Sequence, residues 1–169
     1  MAQVLIVNPD ECTGCRLCEM VCAVTNTRKF DLTQSRIKII SFGREFFRFP
    51  ILCLQCDMPL CAQVCPTSAI TRDEATGIVG VSKTKCIGCR MCIMACPFGN
   101  ITLSPDNHKA IKCELCDGDP QCVRFCVTGA LQYRESEEQV ADKTAAFAER
   151  LKEVYRQLET IGKGVYIRT

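Results

Sequence analysis

Histidine is nearly absent from this sequence: His108 is the only one in 169 residues, and no Cys-x-x-Cys pair is followed by it. Covalently attached haem is excluded on that count. Following Asp106-Asn107, His108 reads as a solvent-exposed turn residue rather than a ligand. Long apolar runs are missing as well. No stretch approaches the roughly 20 apolar residues a membrane-spanning helix needs. The opening Met1-Ala-Gln-Val-Leu-Ile-Val has no basic start and no apolar core of leader length before Cys12. The expectation is a cytoplasmic chain with no membrane span, where structural disulfides are rare. Charge of one sign is also lacking. The 21 Lys and Arg nearly balance 19 Asp and Glu, for a formal +2, and the basic residues are scattered, so no nucleic-acid partner is expected. No carboxylate pair suggests acid–base catalysis, and Gly162-Lys-Gly164 lacks the third glycine and the strand-turn-helix setting of a dinucleotide fingerprint; a helix stop explains it.

What the chain has in quantity is cysteine, sixteen of them, in four groups of four. These are Cys12, Cys15, Cys18, Cys22; Cys53, Cys56, Cys61, Cys65; Cys86, Cys89, Cys92, Cys96; and Cys113, Cys116, Cys122, Cys126, with none left over. The first and third groups share the spacing C-x2-C-x2-C-x3-C, and CTGCRLCEMVC matches CIGCRMCIMAC at seven of eleven positions. The second and fourth correspond too: Cys53, Cys56, Asp57, Pro59, Cys61, Cys65, Thr67 and Ala69 align with Cys113, Cys116, Asp117, Pro120, Cys122, Cys126, Thr128 and Ala130. The chain reads as a tandem duplication of a two-motif unit ending near Arg134.

These spacings point to iron and sulfur. Three cysteines two residues apart let one tight loop wrap a cubane, its amides turned toward the sulfurs, while a fourth cysteine three residues on points away to a partner cluster. Gly14 and Gly88 lie inside such loops, where positive φ and close approach favour glycine. Pro66 and Pro97 follow Cys65 and Cys96, ending the ligating segments. Zinc is the competing reading, yet its knuckles leave the third and fourth cysteines of each group without a purpose. If sixteen thiolates hold four clusters, the formal +2 becomes about −6.

Between the motifs only short elements fit, and the fold class is α+β with a core that is largely cluster. One hairpin is expected over residues 36–52, turning at Phe42-Gly43-Arg44, and another pairs residues 69–72 with 78–81. Each fourth cysteine is expected to open a helical turn. Ile87, Met91, Ile93, Phe98 and Ile101 are expected to keep water from the inner clusters. Phe42, Phe46, Phe47 and Phe49 form either a partner patch or a hairpin packed over a cluster. Asp57 and Asp117 are expected to brace their loops by accepting from backbone amides. Residues 1–135 form one domain. In the 136–169 extension, Ser136 and Gln139 suggest a capping box, and Val140, Phe147, Leu151, Val154, Leu158 and Ile161 recur at helical spacing over about 24 residues, about 36 Å. This amphipathic helix is expected to dock a partner or the next copy of the chain.

The run from Cys65-Pro-Thr-Ser-Ala-Ile through Gly77-Ile-Val-Gly-Val to the third group and Cys96-Pro-Phe-Gly-Asn-Ile101 resembles a bacterial two-cluster ferredoxin. With the flanking groups, residues 3 to 135 resemble the four-cluster electron-transfer subunits of molybdenum and tungsten oxidoreductases, formate dehydrogenases and some hydrogenases. Short length and the helical extension are most similar to the small subunit of tungsten-dependent aldehyde oxidoreductase complexes of anaerobic metabolism. The resemblance implies a duplicated ferredoxin-like fold and four 4Fe-4S clusters. Their ligands would be Cys12, Cys15, Cys18 and Cys126; Cys113, Cys116, Cys122 and Cys22; Cys53, Cys56, Cys61 and Cys96; and Cys86, Cys89, Cys92 and Cys65. Cys22-Ala23 and Cys126-Val127 lack the ferredoxin proline. The implied role is a non-catalytic relay of single electrons from a catalytic molybdenum or tungsten subunit to an acceptor such as a flavin-containing subunit; a freely diffusing polyferredoxin is the alternative.

Overall fold

The computed structural model describes residues 3–43 and 47–135 together with Glu149, Lys152 and Arg156. Among the described residues, eight short strands pair as four antiparallel couples. In chain order the elements are β1 (Gln3–Val7), α1 (Leu17–Thr27), β2 (Lys38–Phe42), β3 (Phe47–Ile51), α2 (Leu60–Gln63), β4 (Ile70–Arg72), β5 (Val79–Val81), α3 (Met91–Ala95), β6 (Ile101–Leu103), β7 (Ala110–Lys112), α4 (Gln121–Arg124) and β8 (Leu131–Glu135). The pairs are β2 with β3, β4 with β5, β6 with β7, and the first strand with the last, Gln3 opposite Glu135 and Val7 opposite Leu131.

Both expected hairpins are present. The first runs Lys38 opposite Ile51 to Phe42 opposite Phe47, as the alternation of Ile37, Ile39 and the aromatic return strand demands. The second closes through Asp73, whose carboxylate accepts from the N–H of Thr76 at 2.7 Å and its hydroxyl at 2.8 Å. The β6–β7 hairpin repeats this plan on the other side of the third cysteine group.

Helices pack in crossed pairs, α1 on α4 and α2 on α3, so the first cysteine group lies against the fourth and the second against the third. Their starts differ by motif. α1 and α3 follow Arg16 and Arg90, both in left-handed conformation (φ 61° and 66°), whereas α2 and α4 follow Pro59 and Pro120. Each helix carries the third cysteine of its group: Cys18, Cys61, Cys92 or Cys122.

The expectation that the fourth cysteine opens a helical turn is reversed in the structure. Cys65, Cys96 and Cys126 come just after a helix, and each carbonyl accepts from the N–H three residues on at 3.2 Å, at Ser68, Gly99 and Gly129. Those three residues have φ of 49°, 64° and 73°. A turn of this shape needs a left-handed residue at its end more than a proline at its second position, which is why Cys126-Val127 makes it without proline. Cys22 is different. With Ala23 after it, α1 runs on to Thr27, ending at left-handed Arg28, whose N–H reaches the Val24 carbonyl.

Two small cores result. One gathers Cys18, Cys22, Cys113 and Cys122 with Ile37, Leu52, Leu115 and Leu131. The other gathers Cys92 with Ile70, Val79, Ile101 and Ala110, with Cys61, Cys65, Cys86 and Cys96 packed against it. Thiols replace the aliphatic bulk a domain of this size would otherwise bury. Ties between the cores are polar: Glu114 accepts from Arg36 at 2.8 Å and from the Val81 N–H at 2.9 Å, and Asn100 donates to the Leu52 carbonyl at 2.5 Å. No helix among the described residues is long and apolar enough to cross a membrane. Glu149, Lys152 and Arg156 are helical and exposed; the apolar stripe expected of the extension, from Val140 to Ile161, lies outside the described residues, as do Arg44 and Phe46.

Candidate iron–sulfur sites

All sixteen cysteines are free thiols. Two sets of four close on cavities. Cys86, Cys89 and Cys92 of the third group share one with Cys65 of the second, roofed by Ile70, Leu103 and Ala110. Cys113, Cys116 and Cys122 of the fourth group share another with Cys22 of the first, beside Ile37, Leu52 and Pro120. In both, three thiols come from one loop and the fourth from the preceding segment of another motif. Among the described residues no three His, Cys, Asp or Glu side chains lie close enough to grip a single ion.

Burial and neighbouring thiols act together on Cys18, Cys61, Cys92, Cys113 and Cys122. Burial pushes Cys18 up to about 12, and Cys15 and Cys12 beside it add to the shift. Cys61 is raised by burial, opposed by Lys112, with Cys53 and Cys96 adding. Cys92 is raised by burial and then by Cys86 and Cys89. Cys122 is raised by burial and then by Cys113, Cys22 and Cys116. Cys113 is pushed to about 12 by burial, with Cys22 and Cys53 as neighbouring thiols. Cys126 packs against the first core. Such thiols give up their protons to a metal rather than to water.

Backbone amides already face the sulfurs. The N–H of Arg36 donates to Cys22 Sγ at 3.3 Å, that of Ala69 to Cys65 Sγ at 3.2 Å, and that of Ala110 to Cys86 Sγ at 3.4 Å. For Cys65, burial pushes upward but the amides of Ile70 and Ala69 outweigh it, and its value falls below the ordinary one. Amides that stabilise a thiolate also stabilise a reduced cluster, so these donors tune potentials. Hydroxyls of Thr67 and Thr128 lie 3.7 and 3.8 Å from Cys65 and Cys126, repeating the arrangement in both halves.

The loop glycines behave as expected. Gly14 and Gly88 have φ of 72° and 73°, and a Cβ on Gly88 would stand 2.6 Å from the His108 carbonyl oxygen. His108 itself is exposed, and no thiol set includes it.

Three expectations need correction. Met91 and Phe98 are 49% and 50% exposed and line neither thiol cavity; Ile87 lines the cavity of the third group but is 66% exposed, while Ile101 and Ile93 pack inward. Met58, Leu60 and Met94 in and beside α2 and α3 are exposed as well, at 79%, 48% and 87%. Asp57 accepts not from amides but from Arg72, at 2.8 Å, whose other nitrogens hold the Asp57 and Gly77 carbonyls. Asp117 makes no side-chain hydrogen bond among the described residues and sits at φ 55°; Asp119 does the bracing instead, accepting from Gln121 and Arg124. Of the phenylalanines, Phe42, Phe47 and Phe49 are partly exposed with rings 6.0 and 6.2 Å apart, so the hairpin presents them outward rather than laying them over a thiol set.

Comparison with known proteins agrees. The 4Fe-4S dicluster domain family matches residues 44–136. An aliphatic sulfonate oxidoreductase polyferredoxin-like subunit of Pyrococcus furiosus is 37% identical over 122 residues, 72% of this chain and 70% of that one. The thiosulfate reductase electron transfer subunit PhsB of Salmonella typhi is 34% identical over 169 residues, 92% and 85% of the two chains. The beta subunit of an NADH-dependent phenylglyoxylate dehydrogenase from Aromatoleum evansii is 38% identical over 131 residues, 75% of this chain, which spans only 29% of that subunit. With free thiols ringing its cavities and amides aimed at their sulfurs, the chain belongs to the 4Fe-4S dicluster domain family and is an iron–sulfur electron-transfer protein of the kind that serves oxidoreductase complexes.

Proposed function

We propose that the chain holds four 4Fe-4S clusters, cross-paired between motifs, and relays single electrons between the active site of a catalytic oxidoreductase subunit and a distant acceptor. One observation carries this: each of two cavities is lined by three cysteines of one motif and the fourth of another, Cys65 with Cys86, Cys89 and Cys92, and Cys22 with Cys113, Cys116 and Cys122. The same logic assigns Cys96 to Cys53, Cys56 and Cys61, with Cys53 and Cys96 both acting on Cys61, and Cys126 to Cys12, Cys15 and Cys18, by the correspondence of the second and fourth groups in sequence. When bound, each cluster takes up and returns one electron. The residues orient the sulfurs, supply amide donors and limit water.

Partner docking is supported by the exposed apolar side chains over α2 and α3, by the Phe42–Phe47–Phe49 edge, and by the apolar stripe of the 136–169 extension. The partner we favour is a molybdenum or tungsten catalytic subunit, specifically a tungsten-dependent aldehyde oxidoreductase, with a flavin-containing subunit as acceptor. Anaerobic purification of the native complex, with mass spectrometry of co-eluting chains and assays for iron, zinc, molybdenum and tungsten, tests each part. About sixteen irons per chain with a tungsten partner is the expected result. A molybdenum or nickel partner moves the relay to another complex, iron without a partner makes it a free polyferredoxin, and zinc in place of iron overturns the reading.

A further inference from the structure

Two of the thiol sets meet at a polar seam, and one buried cation is lodged there. Lys112, the last residue of β7, is 1% exposed and heads the fully buried side chains by volume. Its ammonium donates to the carbonyl of Val79 and, at 2.9 Å, to that of Cys113. Gln55, between Cys53 and Cys56, holds the same two residues: its amide donates to the Cys113 carbonyl at 2.7 Å and accepts from the Val79 N–H at 2.8 Å. Lys112 therefore stands where the loop of the second motif, β5 and the loop of the fourth motif touch.

Burying a cation without a counter-ion is costly. No carboxylate pairs with Lys112 among the described residues. What it faces is the two cysteine loops: its ammonium reaches the Cys113 carbonyl, which Gln55, between Cys53 and Cys56, holds as well. A thiolate-bound cubane grows more negative on accepting an electron, and a fixed cation in a medium of low dielectric favours that state. The other fully buried ionisable side chain among the described residues, Glu19, has the opposite sign and another address. Its carboxylate accepts from Arg16 at 2.7 Å and from the Ile39 N–H at 2.6 Å, beside Cys18.

We propose that Lys112 raises the potentials of the two clusters flanking the seam, on Cys53, Cys56, Cys61, Cys96 and on Cys113, Cys116, Cys122, Cys22, so that the chain's first electrons rest there. This inference rests on the cross-paired clusters proposed above. It makes Lys112 a positioning charge for electrons, not a ligand.

The test uses the full chain purified anaerobically, as wild type, Lys112→Gln and Lys112→Arg, with iron and sulfide assayed before an EPR-monitored redox titration. A wild type well short of about sixteen irons defeats the four-cluster reading itself; with full loading, the potentials judge Lys112 alone. Lys112→Gln keeps a donor and loses the charge. Two of the four midpoints are expected to fall, lowering the reduced-to-oxidised ratio at fixed potential about tenfold, about 59 mV for one electron. The other two stay, and Lys112→Arg restores the pair. Four unmoved midpoints, or four moved equally, overturn the proposal. If the Gln variant assembles poorly, the wild type decides: at two electrons per chain its spectrum shows magnetic coupling between adjacent reduced clusters, and two uncoupled signals at that stage overturn it.

Discussion

Replacing Gly88 by alanine separates two costs that usually arrive together. At φ 73° an L residue costs about 1–2 kcal/mol. The new Cβ would also stand 2.6 Å from the carbonyl oxygen of His108, a backbone atom held in the turn by the His108 N–H bond to Ser104 at 2.9 Å. Relieving that overlap means shifting one loop from the other, at about 1–3 kcal/mol. Gly99 is the control. Its φ is 64° and a methyl group added there would meet nothing within 4 Å, so Gly99→Ala carries only the conformational part. For a chain of this length about 1 kcal/mol moves a melting midpoint by about 2–4 °C. Followed anaerobically by loss of cluster absorbance, Gly99→Ala should melt about 2–8 °C below wild type and Gly88→Ala about 4–20 °C below. The second should also lose cluster from the set on Cys86, Cys89 and Cys92 first, because Gly88 lies inside that loop. Equal drops for the two variants would refute the argument, since they would mean the His108 carbonyl does not confine the loop.

Three further outcomes follow from the sites. Cys65→Ser should remove the cluster held by Cys86, Cys89 and Cys92 and leave that of Cys53, Cys56 and Cys61, costing about four irons; loss of the Cys53 set instead would mean each motif ligates alone. Glu19→Ala leaves the half-buried Ile39 N–H without its acceptor and frees the exposed Arg16 guanidinium, so stability should fall by about 1 kcal/mol, with Glu19→Gln recovering part; an unchanged denaturation midpoint would show that the contact is dispensable. In the empty chain, Cys18 and Cys113 are pushed from the ordinary 9.0 to about 12. Their neutral forms stabilise the empty fold fully below 9.0, and that contribution is lost as pH rises toward 12. Ligation must expel these protons, so apparent iron affinity should climb by about tenfold per pH unit for each such thiol well past pH 9. A plateau at pH 9 in an anaerobic reconstitution series would contradict that.

Cysteine spacing made the four groups legible as cluster motifs, because a cubane imposes its own geometry on any chain that wraps it; which thiols join across groups came from the family resemblance. The two hairpins around Phe42–Arg44 and Asp73–Gly77 were equally readable from alternation and turn residues. The β6–β7 hairpin went unread, although Ile101-Thr-Leu and Asp106-Asn107 carry the same signals as its counterpart. Pairing of β1 with β8 left no local trace, since partners 132 residues apart share no pattern. Helix placement failed for a physical reason: the left-handed residues Arg16 and Arg90 start a helix without any capping side chain, so the usual N-terminal signal is missing. Met91 and Phe98 misled because apolar residues beside a ligand were assigned inward, whereas both stand half exposed. Lys112 reads in sequence as one more surface lysine. Only the meeting of the Gln55 loop with β5 and β7 buries it.

The pairing of the first strand with the last has a consequence for synthesis. During translation, β1 emerges early and finds no partner until residue 135 leaves the ribosome, whereas β4–β5 and β6–β7 each close within a dozen or so residues. The chain is therefore built like nested parentheses: an inner unit can mature on the ribosome while the outer one waits with its early thiols uncovered. Whatever delivers iron must either arrive late or guard Cys12, Cys15 and Cys18 from oxidation until the closing half is made.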